Sequence, residues 1–332
     1  MLLAARGPTD DGRIKPDITA DGTQVISTSS ENDTATAQLS GTSMASPGVT
    51  GAIILLQEHY RNLNPGTFMK SATVKALVCN TALDDNGMPG PDYRFGWGLL
   101  DAEASANVIT KAKNNQNMLL ETNLANGATN TYTVTLTAPA TIKATLCWTD
   151  PAGTSRQNVA NSPLPALVND LDLRITKGTD TYFPWKLNLA DLSSGAIKGD
   201  NLVDTVERVD VIDAPAGTYT ITVTHKGTLS TATQDYSLVV NANNMTLGTN
   251  KNSISGLYIW PNPAKEIINV QLPEDIQNGT ISLFDYTGRQ VYQQNVQNGN
   301  INSISTGTFA SGVYLLKVSS GSKTHVEKVI IQ

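Results

Sequence analysis

Leu39-Ser40-Gly41-Thr42-Ser43-Met44-Ala45-Ser46-Pro47-Gly48-Val49 sets a hydroxyl, Ser43, behind a Gly-Thr turn and ahead of an apolar run. The run continues through Ala52, Ile53, Ile54, Leu55 and Leu56 to the polar stop Gln57-Glu58-His59. It is apolar on nearly every side, which predicts a buried helix. Pro47 reads into or near the first turn, where a missing N–H costs least. Gly41, Ala45 and Gly48 are small enough to let another backbone or a bound peptide come close. Ser43 would lie at the helix N-terminus, beside free N–H groups and the positive end of the dipole. Such surroundings suit the oxyanion formed when a hydroxyl attacks a carbonyl. A serine before an apolar helix is also a common N-cap, so the hydroxyl alone leaves both roles open.

The segment Gly41-Thr42-Ser43-Met44-Ala45-Ser46-Pro47 resembles the nucleophile segment of the subtilisin-like serine proteases. Two further stretches resemble that family in the right order. They are Gly7-Pro8-Thr9-Asp10-Asp11-Gly12-Arg13-Ile14-Lys15-Pro16-Asp17-Ile18, before the nucleophile, and Tyr93-Arg94-Phe95-Gly96-Trp97-Gly98-Leu99-Leu100-Asp101-Ala102, at the end of the catalytic domain. The resemblance implies that Ser43 is the acylated nucleophile and that Gly41, Thr42 and Ser43 line the oxyanion hole and substrate cleft. It also implies a protein or peptide substrate.

Composition narrows the remaining classes. The 332 residues suggest two or three domains. Charged residues make up 16% and the formal net charge is -6, so no basic field attracts nucleic acid. No apolar run reaches the roughly 20 residues of a transmembrane helix. The composition allows one disulfide between Cys79 and Cys147, but we expect two unpaired buried thiols.

Residues 1–112 read as mixed α/β, an incomplete C-terminal portion of a subtilase catalytic domain. Ser27 to Gln38 is polar and aperiodic and reads as a loop. A second helix is predicted from about Thr67 to Ala82, with Phe68, Ala72, Ala76 and Leu77 on one face. Asp101 is a plausible N-cap for a third. From about Met118 the period changes to two. Tyr132, Val134 and Leu136 alternate, as do Ile142, Ala144, Leu146 and Trp148, and the pattern recurs to Val240. Gly, Pro and Asn separate these runs, as in an antiparallel sandwich over 118–243. Leu146-Cys147-Trp148-Thr149-Asp150-Pro151, Leu167-Val168-Asn169-Asp170-Leu171-Asp172-Leu173 and Asn201-Leu202-Val203-Asp204-Thr205-Val206-Glu207 resemble the jelly-roll domain that follows the catalytic domain in some subtilases. Asp170, Asp172, Asp200, Asn201 and Glu207 offer oxygens spaced along loops, which suits Ca²⁺. Ordinary turn chemistry accounts for the same residues equally well.

Residues 244–256 read as a polar linker. Beyond them stand Trp260-Pro261-Asn262-Pro263, the turn Asp285-Tyr286-Thr287-Gly288-Arg289 and the strand Gly312-Val313-Tyr314-Leu315-Leu316-Lys317-Val318. Residues 257–332 resemble the immunoglobulin-like C-terminal sorting domain of the type IX secretion system of Bacteroidetes. The resemblance implies that secretion machinery as partner, export across the outer membrane, then release or surface anchoring, and removal of this domain from the mature protein.

A serine protease of this kind needs Ser, His and Asp in one hydrogen-bonded array, and in the resembled family Asp and His precede Ser. No residue before Ser43 is His. His59 lies sixteen residues along the same helix, about 24 Å at roughly 1.5 Å per residue. His225 and His325 fall in the predicted β domains. We therefore expect this chain to begin in mid-domain, to lack the catalytic Asp and His, and to be inactive alone. The competing expectation is a non-catalytic exported surface binding protein with a decayed protease segment.

Overall fold

The computed structural model describes residues 6–84, 87–155, 159–247, 257–272, 278–297, 301–321 and 323–332. The chain divides into two units, Met1–Gly248 and Thr249–Gln332.

The first unit opens with a short antiparallel hairpin, β1 (Val25–Thr28) and β2 (Thr36–Leu39). Val25 and Ile26 of β1 lie in a stretch, Ile18 to Ser27, that reads as a short strand. Most of β2 falls in the predicted loop Ser27 to Gln38, because it is largely exposed and carries no buried alternation. Three helices follow: α1 (Thr42–Leu63), α2 (Ser71–Thr81) and α3 (Ala102–Lys113). The start of α3 is local chemistry, since Asp101 Oδ1 accepts the amide of Ala104 at 2.8 Å. Lys111 and Lys113 sit in its last turn, where the dipole favours cations. α2 begins four residues later than its periodicity suggests and leaves Phe68 outside, 57% exposed. Its N-cap, Lys70, contributes no side-chain bond. Glu121, from the following domain, accepts the Lys70 amide at 2.7 Å and the Thr73 hydroxyl instead.

The strands that follow are β3 (Met118–Ala125), β4 (Asn130–Leu136), β5 (Ala140–Trp148), β6 (Asp170–Lys177), β7 (Asp180–Tyr182), β8 (Trp185–Lys186), β9 (Ile197–Lys198), β10 (Val206–Ala214), β11 (Gly217–Lys226), β12 (Thr233–Asn241) and β13 (Met245–Leu247). Of these, β8 and β9 pair with each other and the rest build the sandwich. β13 takes three residues of the predicted linker and pairs with β4. Residues 248–256 of that linker lie outside the described residues. One sheet runs β10-β5-β12-β3 and the other β13-β4-β11-β6-β7, all antiparallel. Between them lies one core containing Leu146, Leu173, Tyr219, Ile221 and Leu238. These are the alternating residues of the sequence pattern. The Tyr132 and Tyr236 hydroxyls, both inside, satisfy each other at 2.6 Å.

The other face of the β10-β5-β12-β3 sheet is also covered. Cys147 and Val239 share a second core with Ala76, Leu77 and Cys79 of α2 and with Val108 and Ile109 of α3. Asn80 reaches across and donates to the Lys143 carbonyl and the Thr145 hydroxyl, each at 3.0 Å. The runs Leu146-Cys147-Trp148 and Leu238-Val239-Val240 are apolar on consecutive residues because both faces of this sheet are buried. Cys79 and Cys147 are free thiols. Burial pushes Cys147 up to about 12 and Cys79 well above its ordinary value, so neither is a reactive thiolate.

The expectation of a buried α1 fails. Among the described residues of α1 only Leu56 is buried, while Ile54 and Leu55 are more than 60% exposed. Periodicity reports what a helix could bury, and here α3 covers one side of it.

The second unit contains β14 (Tyr258–Trp260), β15 (Ile267–Gln271), β16 (Asn278–Phe284), β17 (Gln290–Gln297), β18 (Ile301–Ser305), β19 (Gly312–Ser320) and β20 (Lys323–Ile331). They form a β14-β15-β18 sheet and a β17-β16-β19-β20 sheet. Ile268, Val270, Ile281, Leu283, Leu316 and Val329 are buried together between them. The β16–β17 turn is held by Asp285, whose Oδ1 accepts from the Thr287 and Arg289 amides at 2.9 and 3.1 Å. The Thr287 hydroxyl bond and these amides hold the Asp285 carboxyl down at about 2.

Candidate active site

The turn before Ser43 is set by close backbone contact. Gly41 donates to the Gly22 carbonyl at 2.7 Å, and the Ser40 hydroxyl accepts the Gln24 amide at 2.8 Å. A Cβ on Gly22 would stand 2.5 Å from the Gly41 oxygen, so only glycine fits there. Gly41 is the N-cap of α1, and the helix gains no side-chain cap. Ser43 is thus inside the first turn and exposed. The first helical bonds run from Met44 and Ala45 to the Gly41 carbonyl. The Thr42 and Ser43 amides precede them and have no intrahelical acceptor. A developing oxyanion beside them would meet N–H groups and the positive end of a 22-residue helix. Pro47 falls in the second turn, not the first, because the helix begins at Thr42. It withholds the amide that would otherwise bond the Ser43 carbonyl.

None of the histidines joins Ser43. His59 Nε2 pairs with the Thr110 hydroxyl at 2.8 Å, fastening α1 to α3. His225 Nε2 accepts the Gly127 amide at 2.6 Å, and His325 lies 3.4 Å from Glu327 in the second unit.

The two other subtilase-like stretches come together. Gly7 donates to the Tyr93 carbonyl at 2.9 Å, Trp97 to Asp17 at 3.0 Å and Leu100 to Thr19 at 2.8 Å. Gly96 allows this contact, because a Cβ there would stand 1.9 Å from the Pro16 oxygen. The sandwich grips the same floor, for Asp204 Oδ1 accepts the Ile14 amide at 2.9 Å. Nothing local signals this bond across 190 residues of chain.

Burial pushes the Asp204 carboxyl from 3.8 up to about 6, against the opposing bonds from Asn201 and Ile14. A folded value above the unfolded one means the protonated form favours folding. The contribution is full below about pH 4 and is lost as pH rises through about 6. The change amounts to about 3 kcal/mol. Asp204→Asn should flatten the stability profile between pH 4 and 6, measured by urea unfolding at each pH. An unchanged slope would reject this source.

The five proposed calcium ligands do not form one shell. Asp170, Asp172, Asp200 and Glu207 surround Arg174 and Lys226. Asn201 turns away and donates to Asp204 at 2.9 Å and to the Trp185 carbonyl at 3.3 Å. Among the described residues no three His, Cys, Asp or Glu side chains are arranged to hold a metal ion.

Comparison with known proteins agrees with this layout. Residues 3–98 match the Subtilase family, and residues 258–332 match the Secretion system C-terminal sorting domain. The Serine protease/ABC transporter B family protein tagA of Dictyostelium discoideum is 28% identical over 300 residues, covering 79% of this chain and 16% of that protein. The C5a peptidase of Streptococcus pyogenes serotype M6 is 33% identical over 138 residues, 40% of this chain and 11% of its own length. The Subtilisin-like protease SBT3.4 of Arabidopsis thaliana is 31% identical over 116 residues, 31% of this chain and 15% of its own. The chain spans about one sixth or less of these relatives. It therefore carries a subtilase segment and, at its far end, a secretion sorting domain. The sorting domain marks it for export to the cell surface or the medium. No described helix is long and apolar enough to cross a membrane.

Proposed function

We propose that this chain is the nucleophile-bearing part of a secreted serine endopeptidase. Ser43 gives its hydroxyl proton to a general base as its Oγ attacks the scissile carbonyl of a protein substrate. The C–N bond then breaks and the amine leaves with that proton. Water, deprotonated by the same base, attacks the acyl-enzyme to release the acid and restore the Ser43 hydroxyl. Gly41, Thr42 and Ser43 line the oxyanion side of the cleft. The observation that carries this reading is an exposed Ser43 in the first turn of α1, inside a segment matched to the Subtilase family.

The general base and its orienting acid come from residues outside this chain, which alone does not hydrolyse peptides. The other engagements of His59, His225 and His325 support this. So do the exposed Ile26, Leu39, Ile54 and Leu55, apolar side chains that a further layer of catalytic domain would cover. We read the sandwich as a jelly-roll, supported by the sheet orders β10-β5-β12-β3 and β4-β11-β6-β7. The second unit is read as an immunoglobulin-like module that the type IX secretion machinery engages.

Fluorophosphonate labelling tests the assignment. The chain alone should label no more than its Ser43→Ala variant. Fusing it behind a subtilase segment that carries Asp and His should produce labelling at Ser43. Labelling of the chain alone, abolished by prior heating, would overturn the inactivity. A fusion that folds but stays unlabelled would overturn the endopeptidase reading.

A further inference from the structure

The acidic residues of the sandwich carry an inference about what binds the sandwich to the subtilase segment. Asp170 and Asp172 stand on β6, and Lys226 on β11 lies opposite Asp170 in the ladder. The Lys226 ammonium bonds Asp172 Oδ1 and stands 3.7 Å from Asp170 Oδ2. Arg174 Nη2 reaches the same Asp172 oxygen at 3.0 Å and also bonds Asp200 Oδ1. Arg174 Nη1 lies 3.9 Å from Glu207 Oε2, and the Phe183 ring covers the guanidinium at 4.8 Å. Glu207 is fully buried, and its Oε2 accepts the Leu173 amide at 2.6 Å.

A calcium ion would need about six to eight oxygens at roughly 2.3–2.6 Å. Here Asp172 Oδ1 is shared by two cationic side chains, and Arg174 reaches three of the four carboxylates. Two buried oxygens, Asp170 Oδ1 and Glu207 Oε1, have no partner. Burial drives both carboxyls upward, Glu207 well above the ordinary range. The Asp200 that Arg174 holds begins the turn Asp200-Asn201-Leu202-Val203-Asp204. Within it Asn201 Oδ1 accepts the amides of Val203 and Asp204 at 3.2 and 3.1 Å. The last residue of this turn is the one that receives the Ile14 amide.

We propose that these residues are a metal-independent ion-pair knot, with Arg174 and Lys226 standing where a divalent cation would. Through Asp200 the knot anchors the 200–204 turn onto which the subtilase segment docks at Ile14.

Two measurements on the full chain test it. Calorimetric titration with CaCl₂ and thermal unfolding in EDTA should show no binding and no shift in midpoint. A lowered midpoint in EDTA or micromolar calcium binding would overturn the knot. Asp200→Asn changes a 45% exposed side chain and should leave the chain folded. Hydrogen exchange of the peptide containing Ile14 should then quicken about two- to fivefold, the size of a partly exposed ion pair. Exchange in β19 and β20 should stay as before. Arg174→Gln should give the larger effect at the same peptide. Unchanged exchange at Ile14 in a folded Asp200→Asn variant would overturn the anchoring role.

Discussion

Arg208→Met should destabilise the first unit by about 3–5 kcal/mol, measured by urea unfolding of the full chain. Arg208 is 2% exposed and joins three parts of the fold. Its Nη1 donates to the Cys79 carbonyl of α2 at 2.9 Å, and its Nη2 to Asp210 Oδ2 at 2.8 Å. The guanidinium stands 5.0 Å from the Trp97 ring. Burial alone would raise Asp210, but the charge and hydrogen bonds of Arg208 more than offset it and hold the carboxyl below its usual range. Methionine fills similar space yet leaves that carboxylate buried with the Trp185 N–H, at 2.9 Å, as its remaining side-chain donor. Most of the cost is therefore the stranded charge and not the lost attraction. Adding Asp210→Asn should restore part of the stability. A loss under about 1 kcal/mol in the single variant would mean the pair contributes as little as a surface bridge.

Trp97→Ala should cost about 3–5 kcal/mol, the range for emptying a buried aromatic site. Trp97 is 1% exposed and belongs to the core shared by α2, α3 and the sandwich. The backbone around it cannot collapse easily. Gly96 and Gly98 both have positive φ, and a Cβ on them would stand 1.9 and 2.1 Å from the Pro16 and Leu83 carbonyl oxygens. Because Trp97 and Arg208 touch, the double variant should lose less than the sum of the singles. Strict additivity in a thermal or urea series would show that the contact carries no coupling.

Local chemistry was readable from the chain alone. The Asp101 cap and the Asp285 turn each depend on residues within about four positions of one another. The inward residues of the sandwich were readable too, because alternation follows from the pleat of a single strand. Ser43 and its helix start are therefore legible, as is the absence of a nearby histidine. What covers each surface was not. The apolar character of α1 says nothing about whether a partner layer is present. The consecutive apolar residues of β5 and β12 point to two covered faces but do not say that α2 covers the outer one. Spacing along the chain takes no account of Lys226, 54 residues beyond Asp172, which only the β6–β11 register brings alongside the acidic set. The bond from Asp204 to Ile14 and the capping of α2 by Glu121 belong to the same class. Pairing across distant strands is decided by how whole faces pack, since every charge must find its partner after the sheets have closed. Sequence spacing thus determined the elements and the nucleophile's place on one of them, while tertiary packing decided which charges neutralise which and which apolar faces stay open.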